Sequence, residues 1–254
     1  MAVAVVVAWS VAGCGNDTAA VLDPAGDSAF DPDPVHAGAS TSEEPLDVVA
    51  RPDLTVVDAS VVRILGFGCG APALGSGFAI DTNLIVTSGH IVAGRDTDSL
   101  AVMRPSGEEY PAVIVGFDPD LDLAILRIDD ATFAPVNLVT TVPRVDGVAV
   151  GVRSEEDTPY LDEIEFTVDA PVNVNWDGIY RDTDSRYRGL RIEAEVVRGD
   201  SGSGLFINDR DVIGLIHSTN RAGLPRAYAV GAIEIAEFAH TIDPAVEVAA
   251  DRCA

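Results

Sequence analysis

The chain has 254 residues, 47% of them hydrophobic, which is enough for one globular unit with a sizeable core plus a tail. Its 41 acidic and 16 basic side chains leave a formal net charge of -25. That charge argues against nucleic acid as a partner, because phosphate binding needs basic patches, and against attraction to an anionic membrane surface.

Self-repulsion of this kind also favours a monomer. Every basic side chain is arginine, which is a bias of composition rather than a chemical signal.

Residues 2–12 are nearly all apolar and end at Gly13-Cys14. The stretch is too short for a bilayer span, which takes about 20 residues, and suits the apolar region of a signal peptide. Val11-Ala12-Gly13-Cys14 resembles a bacterial lipobox, which implies cleavage before Cys14 and a lipid on its sulfur. The positive n-region is missing, and a plain secretory signal is the alternative. Membrane contact is then expected only through Cys14. Residues 15–53 read as a disordered acidic linker: Asp23-Pro24, Asp31-Pro32-Asp33-Pro34 and Ser42-Glu43-Glu44-Pro45 combine prolines with mutually repelling acids.

From residue 54 the pattern becomes short apolar runs separated by turn residues, the mark of an all-β domain. Strands are expected at 61–67, 77–80, 84–87, 100–103, 112–115 and 124–128, then at 148–152, 164–174, 190–192, 204–207, 212–217 and 227–230. A first half at about 54–135 and a second at about 145–240 follow from this. Apolar residues at helical spacing over 232–240 predict a short C-terminal helix. Arg-Asp-Thr-Asp-Ser occurs at both Arg95 and Arg181 and reads as two solvated turns rather than calcium ligands. Cys69 and Cys253 remain after Cys14, and in an oxidising compartment they form a long-range disulfide. Two thiols without further paired ligands fall short of a metal site, so no metal or cofactor is expected.

Three segments carry chemistry. Gly199-Asp200-Ser201-Gly202 lies between two strand-like runs, and its glycines allow a tight turn with close backbone approach to a carbonyl. The N–H groups of Gly199 and Ser201 can then face one point, where a developing oxyanion would sit. Upstream, a hairpin delivers His90 at a strand end, in Thr87-Ser88-Gly89-His90-Ile91-Val92-Ala93-Gly94. Asp118, Asp120 and Asp122 alternate. The first two read as a solvated turn, whereas Asp122 directly precedes the apolar run Leu123-Ala124-Ile125-Leu126 and is the one placed to orient an imidazole. A serine hydroxyl needs a base in hydrogen-bond reach, and the base needs an acid to hold its tautomer.

These segments, with Gly75-Ser76-Gly77-Phe78, resemble the trypsin-like serine peptidases, in particular the Deg/Htr branch and the mycobacterial acid-resistance membrane serine protease. The resemblance runs from about residue 56 to the C-terminus. It implies two six-stranded antiparallel β-barrels of chymotrypsin type and an exported serine endopeptidase acting on protein or peptide through an acyl-enzyme. His90 becomes the general base, Asp122 its orienting acid and Ser201 the nucleophile. It also supports the Cys69–Cys253 bridge and puts Glu195, His217, Ser218, Thr219 and Asn220 around the substrate pocket. No appended peptide-binding domain is expected after the helix. Departures from the family pattern are Ser88-Gly89 before the histidine, where glycine loosens the turn, and Ser203-Gly204 after the nucleophile, which adds a second hydroxyl. There is no activation-cleavage motif, so Asp200 needs another partner or none. The departures leave a rival reading open, a catalytically impaired binding module of the cell envelope.

Overall fold

A computed structural model describes residues 51–141, 145–219 and 225–253, all within one compact unit spanning 44–254. The leader, Cys14 and nearly all of the 15–53 linker lie outside the described residues.

A four-residue helix α1 (Leu54–Val57) is capped by the Asp53 carboxylate, which accepts the Thr55 N–H at 2.9 Å. Strands β1 (Val61–Leu65), β2 (Phe67–Gly68), β3 (Ala71–Pro72), β4 (Gly75–Asp81) and β5 (Leu84–Ser88) follow. A one-turn helix α2 (Gly89–Val92) comes next, then β6 (Ala101–Met103), β7 (Glu109–Pro111), β8 (Val113–Asp118) and β9 (Leu123–Arg127). The second half comprises β10 (Asn137–Leu138), β11 (Asp146–Glu155), β12 (Thr158–Trp176), β13 (Ser185–Glu193), β14 (Gly204–Phe206), β15 (Asp211–Thr219), β16 (Arg226–Gly231) and the helix α3 (Ala232–Thr241).

Two curled, mainly antiparallel sheets result, which is the all-β architecture expected. The first has the order β7-β6-β1-β4-β5-β9-β8. In the second, β15-β14-β11-β12-β13-β16 forms a six-stranded ring because β16 returns to pair with β15, and β10 adds to β15 in parallel. The first sheet therefore departs from a strict six-strand barrel: it has seven strands and no closing pair among the described residues.

Strand alternation explains the packing. In β9, Ala124 and Leu126 face the core enclosed by the first sheet, together with Ile64, Ile85 and Val102. Leu123 and Ile125 face the opposite way, into a core shared with Val148, Val150, Phe206 and Leu215 of the second sheet. Both faces are dry, so the strand reads as an unbroken apolar run. β11 alternates likewise, with Ala149 turned into the second sheet's own core beside Phe166 and Leu205. α3 covers the shared core with Ile235 and Phe238 and is tied to β13 by Arg188 Nε and Glu234 at 2.7 Å.

Several elements differ from the sequence expectation. The run 61–67 breaks at Gly66, and Phe67–Gly68 pairs instead with Ala71–Pro72 around Cys69. β12 is far longer than 164–174, because its first half pairs with β11 and its second with β13, across a register shift between Val168 and Ala170. Arg95 does not stand in a solvated turn: its guanidinium donates to the carbonyls of Ile91, Gly68 and Ala71. Cys69 and Cys253 form a disulfide with their Cα atoms 5.9 Å apart.

Candidate active site

The site lies where the C-terminal end of β5, the start of β9 and the 197–202 turn meet. β5 pairs with β9 so that Ser88 faces Leu123, which brings the residues just beyond each strand end together. Asp122 is fully buried, at φ 54°, a left-handed conformation that Asp tolerates better than most residues. Its Oδ1 accepts the His90 backbone N–H at 2.7 Å and its Oδ2 meets His90 Nδ1 at 2.7 Å. A carboxylate only accepts, so Nδ1 carries the proton and Nε2 is left as the basic nitrogen.

Gly89 lies in close contact with the aspartate loop. Its N–H donates to the Asp122 carbonyl at 2.9 Å, and a Cβ there would come within 2.8 Å of Ile179 Cδ1 and 3.2 Å of the Leu123 nitrogen. Glycine lets the histidine loop press directly on the aspartate loop. Burial by itself would depress the His90 pKa, but the charge and hydrogen bond of Asp122 outweigh it and hold the imidazole above its ordinary value of 6.5. The ring stays 37% open to solvent.

The Ser201 turn is fastened to the same loops through main-chain contacts. The Ser76 N–H donates to the Ser201 carbonyl at 2.9 Å, and the Gly202 N–H donates to the Ile216 carbonyl at 2.9 Å. Ser88 Oγ reaches that Ile216 carbonyl at 3.3 Å, so one acceptor joins the strand leading to His90 with the turn carrying Ser201. Gly202 has φ 85°, and a Cβ there would fall 1.9 Å from the Ser76 carbonyl oxygen, so no other residue fits. Among the described residues, the N–H groups of Gly199 and Ser201 have no hydrogen-bond acceptor, and no hydrogen bond joins Ser201 Oγ to His90. Ser203 is buried with its hydroxyl beside Gly151, where the Ser76 hydroxyl also lies.

The matching profile is that of the family described as Trypsin-like peptidase domain, and it covers residues 75–215, more than half of the chain. The chain belongs to this family. The trypsin-like domain is 26% identical over 186 residues to the serine protease Rv3671c of Mycobacterium tuberculosis, covering 69% of this chain and 46% of that protein. It is 29% identical over 177 residues to the mitochondrial serine protease HTRA2 of Bos taurus, covering 65% of this chain and 35% of that protein. The chain thus spans about half or less of the length of these curated relatives. In fold it is similar to the crystal structure of the active form of the Rv3671c protease, with a TM-score of 0.72 at 23% identity, over 92% of this chain and 99% of that one.

Other residues of this trypsin-like domain fall where the sequence did not place them. His217 is buried and faces Asp122: its Nδ1 is 3.6 Å from Asp122 Oδ2 and 3.2 Å from the Tyr187 hydroxyl. Tyr187 stacks on it and Trp176 meets it edge-on at 4.5 Å. Burial pushes the His217 pKa below its usual value, in spite of the nearby Asp122 charge, and His90 lowers it further. A neutral imidazole thus lies behind Asp122. Tyr187 and Trp176 carry no motif that marks them in the sequence, although Ser185, Tyr187 and Gly189 alternate with exposed Arg186 and Arg188 as a half-buried strand does.

Glu195 is exposed. The side chains of Ser218 and Thr219, and Asn220 as a whole, lie outside the described residues.

Asp200 does have a partner. Its Oδ2 accepts the Val197 N–H at 2.7 Å, and Oδ1, with no hydrogen bond of its own, is 3.6 Å from Arg153 Nε. Burial raises its pKa. Asp118 and Asp120 are turn fasteners rather than merely solvated acids. Asp118 accepts the N–H groups of Asp120 and Leu121, and Asp120 accepts the hydroxyls of Thr183 and Ser185.

Proposed function

We propose that this domain is a serine endopeptidase in which His90 is the general base, Asp122 orients it, and Ser201 attacks the scissile carbonyl. The observation that carries the reading is the two-point grip of Asp122 on His90, at 2.7 Å to both the backbone N–H and Nδ1. That grip leaves Nε2 free to take the Ser201 proton. The attack forms the tetrahedral intermediate, whose oxyanion is received by the N–H groups of Gly199 and Ser201. His90 then gives its proton to the leaving amine as the acyl-enzyme forms, and water reverses the sequence. Each donor of such a hole is worth roughly 3 kcal/mol of barrier.

The test is labelling by a fluorophosphonate probe together with turnover of casein. Wild type should label and cleave, Ser201→Ala should lose labelling, and His90→Ala should lose turnover. Equal labelling of wild type and Ser201→Ala would overturn the assignment.

One observation favours a second reading, a binding module that keeps the fold. Among the described residues Ser201 Oγ makes no hydrogen bond to His90. Such contacts are often long without substrate and tighten in the Michaelis complex. Turnover by wild type that is lost in His90→Ala would dispose of the second reading.

We further propose export with lipid attachment at Cys14, as a monomer acting on protein or peptide. The apolar leader supports export, and the Cys69–Cys253 disulfide fits an oxidising compartment. Incorporation of labelled palmitate into wild type but not into Cys14→Ser is the expected outcome.

A further inference from the structure

We propose that a small arginine-lined pocket beside the Ser201 turn receives a carboxylate side chain of the substrate on the leaving-group side of the scissile bond. This rests on the peptidase reading above and extends it to specificity.

The pocket has a volume of about 160 Å³ and is bounded by Arg63, Leu74, Gly75, Arg153, Arg198 and Gly199, among others. It touches the proposed machinery at two places. Gly199 carries one of the two oxyanion donors, and the Arg153 guanidinium lies within 3.9 Å of where its Cβ would be. Gly75 packs against the Ser201 carbonyl and against Ile91, the neighbour of His90.

The charge of the pocket is out of character for this chain. Three of its 16 arginines meet here although the molecule carries a net charge of -25. Arg63 and Arg198 have no ion-pair or side-chain hydrogen-bond partner among the described residues. Arg153 is shared between Asp162 at 3.5 Å and Asp200 at 3.6 Å while donating to the Arg198 carbonyl at 3.2 Å. Guanidinium groups stay charged at every working pH, and their fork matches a carboxylate. The overall negative field repels acidic peptides, so a local positive pocket is what would admit one at a particular position.

The side of the bond follows from topology. The pocket is built on β1, the start of β4 and β11, whereas Ser218 and Thr219, which the family resemblance gives to the acyl side, belong to β15. β14 separates β11 from β15 in the sheet. An extended peptide with its carbonyl at Gly199 therefore has the two features on opposite flanks.

The experiment uses quenched fluorescent peptides of one sequence, varied to Glu, Gln or Lys at each of the first three positions on either side of the bond. Wild type should favour Glu over Lys by about tenfold at one leaving-group position, and the preference should shrink in high salt. Arg63→Gln/Arg198→Gln should keep its rate on the Gln peptide and lose the preference. In parallel, anisotropy should show Ser201→Ala binding the Glu peptide several-fold more tightly than the Gln peptide, a readout independent of turnover. Indifference of wild type to charge, a preference confined to the acyl side, persistence in the double variant, or equal binding of both peptides by Ser201→Ala would each overturn the proposal. Failure of every peptide to be cleaved, with tighter Glu binding retained, would instead count against the peptidase reading and leave the pocket standing.

Discussion

Replacing Asp122 with Asn isolates the role of the carboxylate, because the change is isosteric and Asn tolerates the left-handed backbone at φ 54°. Asp122 accepts from two donors on one residue, the His90 N–H at Oδ1 and the Nδ1–H at Oδ2. An amide has one acceptor oxygen and one donor nitrogen. If the oxygen stays on the backbone N–H, the NH₂ faces Nδ1, which must give up its proton, and Nε2 becomes protonated and useless as a base. If the amide flips, two donors face each other at the buried main chain. The first arrangement loses the productive tautomer; the second keeps Nδ1–H bonded to the amide oxygen but sets the NH₂ against the His90 N–H, and both lack the negative charge that steadies the imidazolium. The comparable loss in a well-studied triad is about 10⁴ in kcat, which at 1.36 kcal/mol per decade is about 5.4 kcal/mol of transition-state stabilisation. Initial rates on a peptide amide across pH, with thermal unfolding as a control for folding, measure it. A folded Asp122→Asn variant within tenfold of wild type, while Ser201→Ala is inert, would refute the reasoning.

Because Asp122 holds the His90 pKa above 6.5 and the base works only when neutral, kcat/KM should rise with pH through a midpoint above 6.5 and fall away below it; a midpoint below 6.5 in the free enzyme would contradict the assignment. Gly202→Ala should cost about 2 kcal/mol or more in chemical denaturation, since its Cβ would sit 1.9 Å from the Ser76 carbonyl at a positive φ. Cys253→Ser removes a cross-link between residues 184 apart, worth up to about 5 kcal/mol in the chain-entropy view, and should lower Tm by about 10 °C in calorimetry while leaving fluorophosphonate labelling at 25 °C intact.

Much of the site was legible in the sequence because its residues sit at strand ends flagged by local pattern. His90 follows an apolar run that stops at Ser88-Gly89, and Asp122 opens another such run, so local pattern alone marks both. Local pattern failed for groups whose meaning depends on a distant partner. The family resemblance sets His217 among the pocket residues, and nothing in its local sequence shows that it is turned toward Asp122, ninety-five positions earlier in the chain. The setting of Gly89 is equally hidden, because nothing nearby in sequence says that Asp122 and Leu123 lie against it. Arg153 carried no signal at all: its importance comes from Asp200, Asp162 and the Arg198 carbonyl, none of them its neighbours along the chain.

By itself the sequence determined the all-β class, the order of the His, Asp and Ser segments, and the overwhelming negative charge, since strand alternation, turn residues and composition are local properties. Only the tertiary structure decided how β5 and β9 register to bring Asp122 onto His90, which histidine lies behind the aspartate, and where three arginines converge in an acidic protein. Those outcomes depend on long-range strand pairing, which fixes side-chain neighbours across gaps that no local pattern spans.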